Sequence, residues 1–171
     1  MVSRRQFMVA SATLAALAAA APGAQALERP TGRVVLTISG RIGVRNAGTQ
    51  AEFDMGMLAA LPQHTLSTKT PWYPQAHTFT GPLLRDVLAA VQAQGKNLRA
   101  IALNDYKVDL PVADALKFNL VLARLMDDKP MPVRDKGPLF IIYPFDSDEA
   151  LRNERYYGRS AWQLKALDVL E

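Results

Sequence analysis

The chain predicts an α+β domain, a single unit built on a mixed β-sheet with a few short helices. Three observations predict it. Many short runs alternate apolar or β-branched residues with polar ones, the period-two pattern of strands. Only one segment, Leu83 to Ala93, holds apolar residues at helical spacing over several turns. Punctuation is frequent, with 11 prolines and 10 glycines among 171 residues, too often for long helices.

The elements follow in order. "RVVLTISGRI" (Arg33 to Ile42) reads as a strand ending near Gly40, and "TQAEFDM" as a second. Asp54 is placed to cap a short helix over Met55 to Leu61, which Pro62 stops. "HTLSTKT" (His64 to Thr70) is extended, Pro71 and Pro74 bracket a loop, and "HTFTG" is a further short strand. Pro82 then opens the clearest helix, with Leu84, Val87, Leu88 and Val91 as its core face and Gly95 after its end. "LRAIAL" and "YKVDL" are strands joined by an Asn104-Asp105 turn. Pro111 opens another short helix. "LVLARLM" is a strand, "DDKPMPVRDKG" is rich in turns, and "PLFIIYP", the most hydrophobic run, predicts a central strand. "DEALRNERYY" is a short helix or loop, and "WQLKALDVL" closes the chain as a strand.

The first 26 residues read as an export leader, leaving residues 27–171 as one domain without internal repeats. Arg4 and Arg5 precede an apolar run from Met8 to Ala21, and Ala24-Gln25-Ala26 is a small-x-small cleavage signal. The run is shorter than the roughly 20 residues of a membrane span, so the processed chain is read as not itself transmembrane. Ser3-Arg4-Arg5-Gln6-Phe7-Met8 is similar to the twin-arginine export signal, which implies a periplasmic destination. Without the leader, 18 basic residues face 16 acidic ones and are scattered, which gives no basis for a nucleic-acid partner.

The chain has no cysteine. That excludes disulfides, thiolate zinc sites, cysteine-held iron–sulfur clusters and a cysteine nucleophile. The two histidines, His64 and His77, stand in no metal-ligand spacing. Ser67 has a histidine in the neighbourhood but no nucleophile elbow around it.

The candidate binding residues are aromatic, polar and cationic. Trp72, in a proline-bracketed stretch beside Tyr73, is either a rigid stacking face or a plug in the core. Asn104, Asp105 and Tyr106 offer a polar edge or form a plain hairpin turn. Arg155 and Arg159 are suited to fork onto an anion or stack on a ring, whereas Arg152 reads as a solvated partner of Glu149 and Glu154. Ser67, Thr68 and Thr70 are hydroxyl donors or ordinary strand residues.

"MDDKPMPVRDKGPLFIIYPFD" (Met126 to Asp146), "FTGPLLRDVL" (Phe79 to Leu88), "ALNDYKVDLP" and "SAWQLKALDV" resemble, in the same order, segments of the sulfite-oxidase-type molybdopterin-binding domain. The resemblance covers nearly all of the chain after the leader and implies that fold. Members of that family hold molybdenum through the dithiolene of molybdopterin and one cysteine thiolate. Counting back from Gly81 to that cysteine's place lands on Lys69, with Ser67, Thr68 and Thr70 beside it. A hydroxyl is a harder and far less acidic ligand than a thiolate. The family's arginine after "Pro-Leu" is also replaced, by Phe140.

"TKTPW" (Thr68 to Trp72) and "RSAWQL" (Arg159 to Leu164) resemble a small cysteine-lacking periplasmic branch of the same fold. That resemblance implies a pterin ligand without molybdenum, and a relay of its presence to a membrane-bound cyclic-di-GMP synthase/phosphodiesterase through that protein's periplasmic domain. The implied ligand-binding set is Thr68, Thr70, Trp72, Asn104, Tyr106, Arg155 and Arg159, with no catalytic residue and no metal ligand. The alternative is a molybdopterin-dependent oxidoreductase with a non-cysteine metal site.

Overall fold

The structure, a computed structural model, describes residues 27–171. The leader read at residues 1–26 therefore lies outside the described residues. In chain order the elements are β1 (Val34–Gly40), β2 (Ala51–Asp54), α1 (Met55–Ala60), β3 (Gln63–Thr70), β4 (Tyr73–Pro82), α2 (Leu84–Ala90), β5 (Asn97–Ala102), β6 (Lys107–Pro111), α3 (Val112–Lys117), β7 (Val121–Ala123), β8 (Leu125–Met126), β9 (Lys129–Pro130), β10 (Phe140–Ile142), α4 (Glu154–Arg159) and β11 (Leu164–Leu170). The class is α+β, as the sequence predicts, with the strands in three sheets rather than one.

The main sheet runs β2-β1-β11-β5-β6. It is mixed: β1 and β11 pair in parallel, with Thr37 opposite Ala166, and the other neighbours are antiparallel. Period-two alternation puts Leu36 and Ile38 of β1, Leu98 and Ala100 of β5, and Leu167 and Val169 of β11 into the larger core, and a register shift after Leu164 brings that residue into it as well. Leu84, Val87 and Leu88 of α2 and the following Val91 pack against the same core. Burying each of these leucine, isoleucine and valine side chains stabilises by about 1.5–3 kcal/mol.

Four-stranded β3-β4-β8-β9 forms the second layer, and β10 pairs only with β7. Phe79, Phe140, Ile142, Val121 and Leu83 make a second, smaller core between these pieces. The four-stranded sheet meets the β10-β7 pair closely at Gly81, where an added Cβ would stand 2.0 Å from the Leu122 carbonyl oxygen. Any side chain there drives β4 from β7.

Several sequence expectations need correction. "PLFIIYP" is not the centre of the large sheet. Its strand is three residues long, and it is apolar because protein covers both its faces. The central strand is β11. The strand read across Leu120 to Met126 breaks at Arg124 into β7 and β8. The expected helix from Leu83 to Ala93 is seven residues long, and Pro82 ends β4 instead of opening it. The Pro71–Pro74 loop is a tight turn of Pro71 and Trp72, since Thr70 already pairs with Tyr73. Pro74 is tolerated inside β4 because the β3–β4 register shifts there, sparing a ladder bond that proline cannot donate.

Asp54 caps α1 as expected. Its carboxylate accepts from the backbone N–H groups of Met57 at 2.8 Å, Thr31 at 2.9 Å and Gly32 at 2.7 Å. Those donors, Met57 first, hold its carboxyl below the ordinary value of 3.8.

Candidate functional site

The β3–β4 turn carries Trp72 back over the protein, where it packs on both cores at once. Its ring lies 5.4 Å from Phe140 and 6.3 Å from Phe145 on the inner side. Outward, Trp162 stands 5.3 Å away at 77° and Tyr157 6.2 Å away at 75°. Trp72 is therefore both anchor and wall, the two readings its sequence left open.

Trp72, Tyr157 and Trp162 frame an open cavity of about 380 Å³. Three elements supply its wall: the β3–β4 turn gives Trp72, the β5–β6 turn gives Asn104 and Tyr106, and α4 with the segment after it gives Glu154, Tyr157 and Trp162. Within α4 the lining residues are Glu154, Tyr157 and Gly158, the i, i+3, i+4 spacing of one helix face. Asn153 starts this short helix by accepting from the Arg155 N–H at 3.0 Å. The volume suits a flat bicyclic ligand, and the wall combines π faces with one carboxylate and one carboxamide.

Of the seven residues singled out in the sequence, Trp72, Asn104 and Tyr106 share this wall. Thr68, Thr70, Arg155 and Arg159 lie elsewhere. Thr68 is buried; its hydroxyl donates to the Lys69 carbonyl at 3.2 Å and accepts from the Asp146 N–H at 3.1 Å. Thr70 is also buried, and its hydroxyl has no partner among the described residues. Arg155 is exposed on a different face of α4, one step around the helix from Glu154. Arg159 turns inward: Nη1 donates to Asp114 Oδ2 at 2.8 Å, and the guanidinium lies 5.6 Å over the Tyr156 ring.

The same Asp114 oxygen accepts from the Tyr143 hydroxyl at 2.8 Å. This Tyr143–Asp114–Arg159 group ties α3, the strand-end segment after β10 and α4 together. Burial, reinforced by the Asp114 hydrogen bond, pushes the Tyr143 phenol far above its ordinary value.

Sequence reasoning missed four contributors. Glu154 is the carboxylate on the cavity wall, while the carboxylate considered in the sequence, Asp105, is bound to Lys165 Nζ at 2.6 Å. That hydrogen bond holds the Asp105 carboxyl below its ordinary value. Trp162 and Tyr157 complete the aromatic wall. Lys136 sets its ammonium 4.2 Å over the Trp162 ring and 5.9 Å over Tyr73, and burial lowers its pKa. Helical phase from Asn153 would have found Glu154 and Tyr157; nothing local marks Lys136. Arg152 pairs with Asp146 at 2.9 Å and the Phe145 carbonyl at 2.9 Å, not with Glu149 or Glu154.

The residues do not fit a molybdenum centre held as in the resembling family. The chain has no thiolate, Thr68 is committed to backbone bonds, and no group of three His, Asp or Glu side chains gathers among the described residues. Among the described residues no helix is long and apolar enough to cross a membrane.

No family model matches the sequence, and no curated protein matches it. Among solved structures, the fold is similar to the sulfane dehydrogenase SoxCD from Paracoccus pantotrophus, with a TM-score of 0.59 and 15% identity. The likeness covers 79% of this chain and spans 37% of that one. At that identity it shows a common fold, and the chain shares that fold with a sulfane dehydrogenase.

Proposed function

We propose that the chain is a binding protein for a metal-free pterin, exported to the periplasm, which relays the ligand's presence to the outer domain of a membrane-bound signalling partner. The observation that carries the ligand is the cavity wall. Trp72, Trp162 and Tyr157 offer faces and edges to a flat ring, while Glu154 and Asn104 offer acceptor and donor groups to its amino-pyrimidine edge. A carboxylate takes two parallel hydrogen bonds from such an edge. Export and relay rest on the Arg4-Arg5 leader and on the "TKTPW" and "RSAWQL" resemblances. A relay requires that the ligand change the free energy of the surface the partner meets; a ligand covering the exposed rings of Tyr106 and Trp162 at the cavity rim supplies such a change.

A second reading, a molybdopterin-dependent oxidoreductase, draws on the fold shared with a sulfane dehydrogenase. The missing thiolate weighs against it.

Calorimetric titration with neopterin tests the first reading. Trp162→Ala is expected to weaken binding by about tenfold to a hundredfold, the worth of one aromatic stack. Glu154→Gln keeps the shape and removes the charge, and is expected to cost about tenfold. Affinity unchanged in both variants contradicts the assignment.

A further inference from the structure

A groove of about 470 Å³ opens on the face of the main sheet opposite Leu36 and Ile38. Thr37 and Ala166, which pair across β1 and β11, line it. Period two puts only alternate residues of a strand on one face. Here the neighbours Val34 and Val35 both line the groove, and so do Lys165 and Ala166. Each pair sits at a bulge. The β1–β2 register shifts between Val34 and Leu36 and the β11–β5 register between Leu164 and Ala166, which leaves Val35 and Lys165 as the extra residues. A bulged strand bends, and bulges on two adjacent strands hollow the face between them.

The groove gathers exposed apolar side chains. Val34, Leu103 and Val133 are three of the six exposed large apolar side chains among the described residues. Tyr106 and Trp162 belong to the ring cavity, and Leu116 stands alone on α3. Single apolar residues on a surface are ordinary, whereas a contiguous set rimmed by polar groups marks a contact surface. The rim here is cationic: Arg33 and Lys165 line the groove and no carboxylate does. Asp105 takes Lys165 Nζ at 2.6 Å, while the Arg33 guanidinium has no hydrogen-bond or ion-pair partner among the described residues.

The groove also abuts the ring cavity. In the β5–β6 turn Ala102 and Asn104 line the cavity, and Leu103 between them lines the groove. Trp162 lines the cavity, and the next residue, Gln163, holds the groove. Its carbonyl accepts from the Leu103 N–H at 2.8 Å, and its side-chain amide donates to the Val133 carbonyl at 2.7 Å. Gln163 has a φ of 50°, in the left-handed region that a residue with a Cβ keeps only where its surroundings fix it.

We propose that this groove is a docking surface for a partner protein, and that it takes an apolar segment whose carboxylate pairs with Arg33. Charge complementarity selects that occupant. A second copy seated by the same patch brings cations against cations. A segment in the groove lies one residue from the cavity rim, so a ligand over Tyr106 and Trp162 changes the surface it meets. That the partner is the membrane-bound signalling protein rests on the pterin-relay reading; the docking surface does not.

The test places the photo-crosslinking residue p-benzoylphenylalanine at Val133, 51% exposed in the groove, and as a control at Leu116, 65% exposed on α3. Both proteins are irradiated in the native host and the crosslinked peptides sequenced. The Val133 label is expected to join one partner protein through a peptide that carries apolar residues and an Asp or Glu; the Leu116 label is not. The captured partner, purified whole, is then titrated against Arg33→Glu and Val133→Asp. Each is expected to weaken the complex at least about tenfold, with neopterin affinity and melting temperature unchanged. Replacing the partner's crosslinked carboxylate by lysine should restore affinity for Arg33→Glu. Crosslinks only to another copy of this chain, or to its own residues 1–26, overturn the proposal. Absent crosslinks at Val133, equal capture at both positions, or a partner that binds both variants at wild-type affinity also overturn it. Partner binding that both variants weaken, in a protein that does not bind neopterin, keeps the docking surface and removes the pterin reading.

Discussion

Gly158→Leu is expected to close the aromatic cavity without loosening the fold. Gly158 lies in α4 on the cavity wall, and a Cβ added there meets no heavy atom within 4 Å. Its backbone is not in the left-handed region that glycine alone tolerates. Leucine is the better helix former by about 0.5–1 kcal/mol, so the melting temperature should hold or rise slightly. The isobutyl group then occupies the space between Tyr157 and the Asn104 turn. Neopterin affinity should fall at least a hundredfold. Few variants separate binding from stability so cleanly, because most cavity residues here are also packing residues. A Gly158→Leu protein that melts normally and binds normally places the ligand elsewhere.

Asp114→Ala should have the largest effect on stability. Asp114 and Arg159 side chains are 11% and 23% exposed. Removing the carboxylate leaves a largely desolvated guanidinium and the Tyr143 hydroxyl without their shared acceptor. Breaking one side of such a pair costs about 3–5 kcal/mol, which in a domain of this size lowers the melting temperature by roughly 10 °C. Because Arg159 ends α4, pterin binding should weaken as well. The same group predicts an alkaline limit. The Tyr143 pKa is raised in the folded state above its ordinary value of 10.0. Its contribution is therefore complete below pH 10 and is lost progressively as the pH rises further, since the unfolded phenol ionises and the buried one does not. Urea unfolding followed from pH 8 to pH 11 checks the slope.

Local pattern carried much of the architecture. The alternation in Arg33 to Ile42 and Trp162 to Leu170 located the two strands that pair in parallel at the middle of the main sheet, and Asp54 announced its helix. Position within a sheet was not readable. "PLFIIYP" is apolar on both faces, and a strand in the heart of a wide sheet and a short strand between two layers bury the same residues. The site divided along similar lines. Trp72 was visible because a proline turn around a tryptophan restricts where the ring can go. Asn104 and Tyr106 were visible because a turn projects its neighbours. Residue type alone could not place Arg155 and Arg159, because helical phase decides it: Glu154, Tyr157 and Gly158 share the cavity face, and Arg159 leaves it for Asp114, a partner 45 residues away in sequence. Lys136 reaches Trp162 only through tertiary folding.

The central claim is that the cysteine-free site keeps the ring of a pterin and holds no molybdenum. Mass spectrometry of whatever co-purifies with the protein from its native host, with molybdenum counted in the same sample, tests it most directly. The account predicts a pterin near one per chain and molybdenum far below that. Molybdenum near one per chain contradicts it and makes the site a redox centre of oxygen ligands.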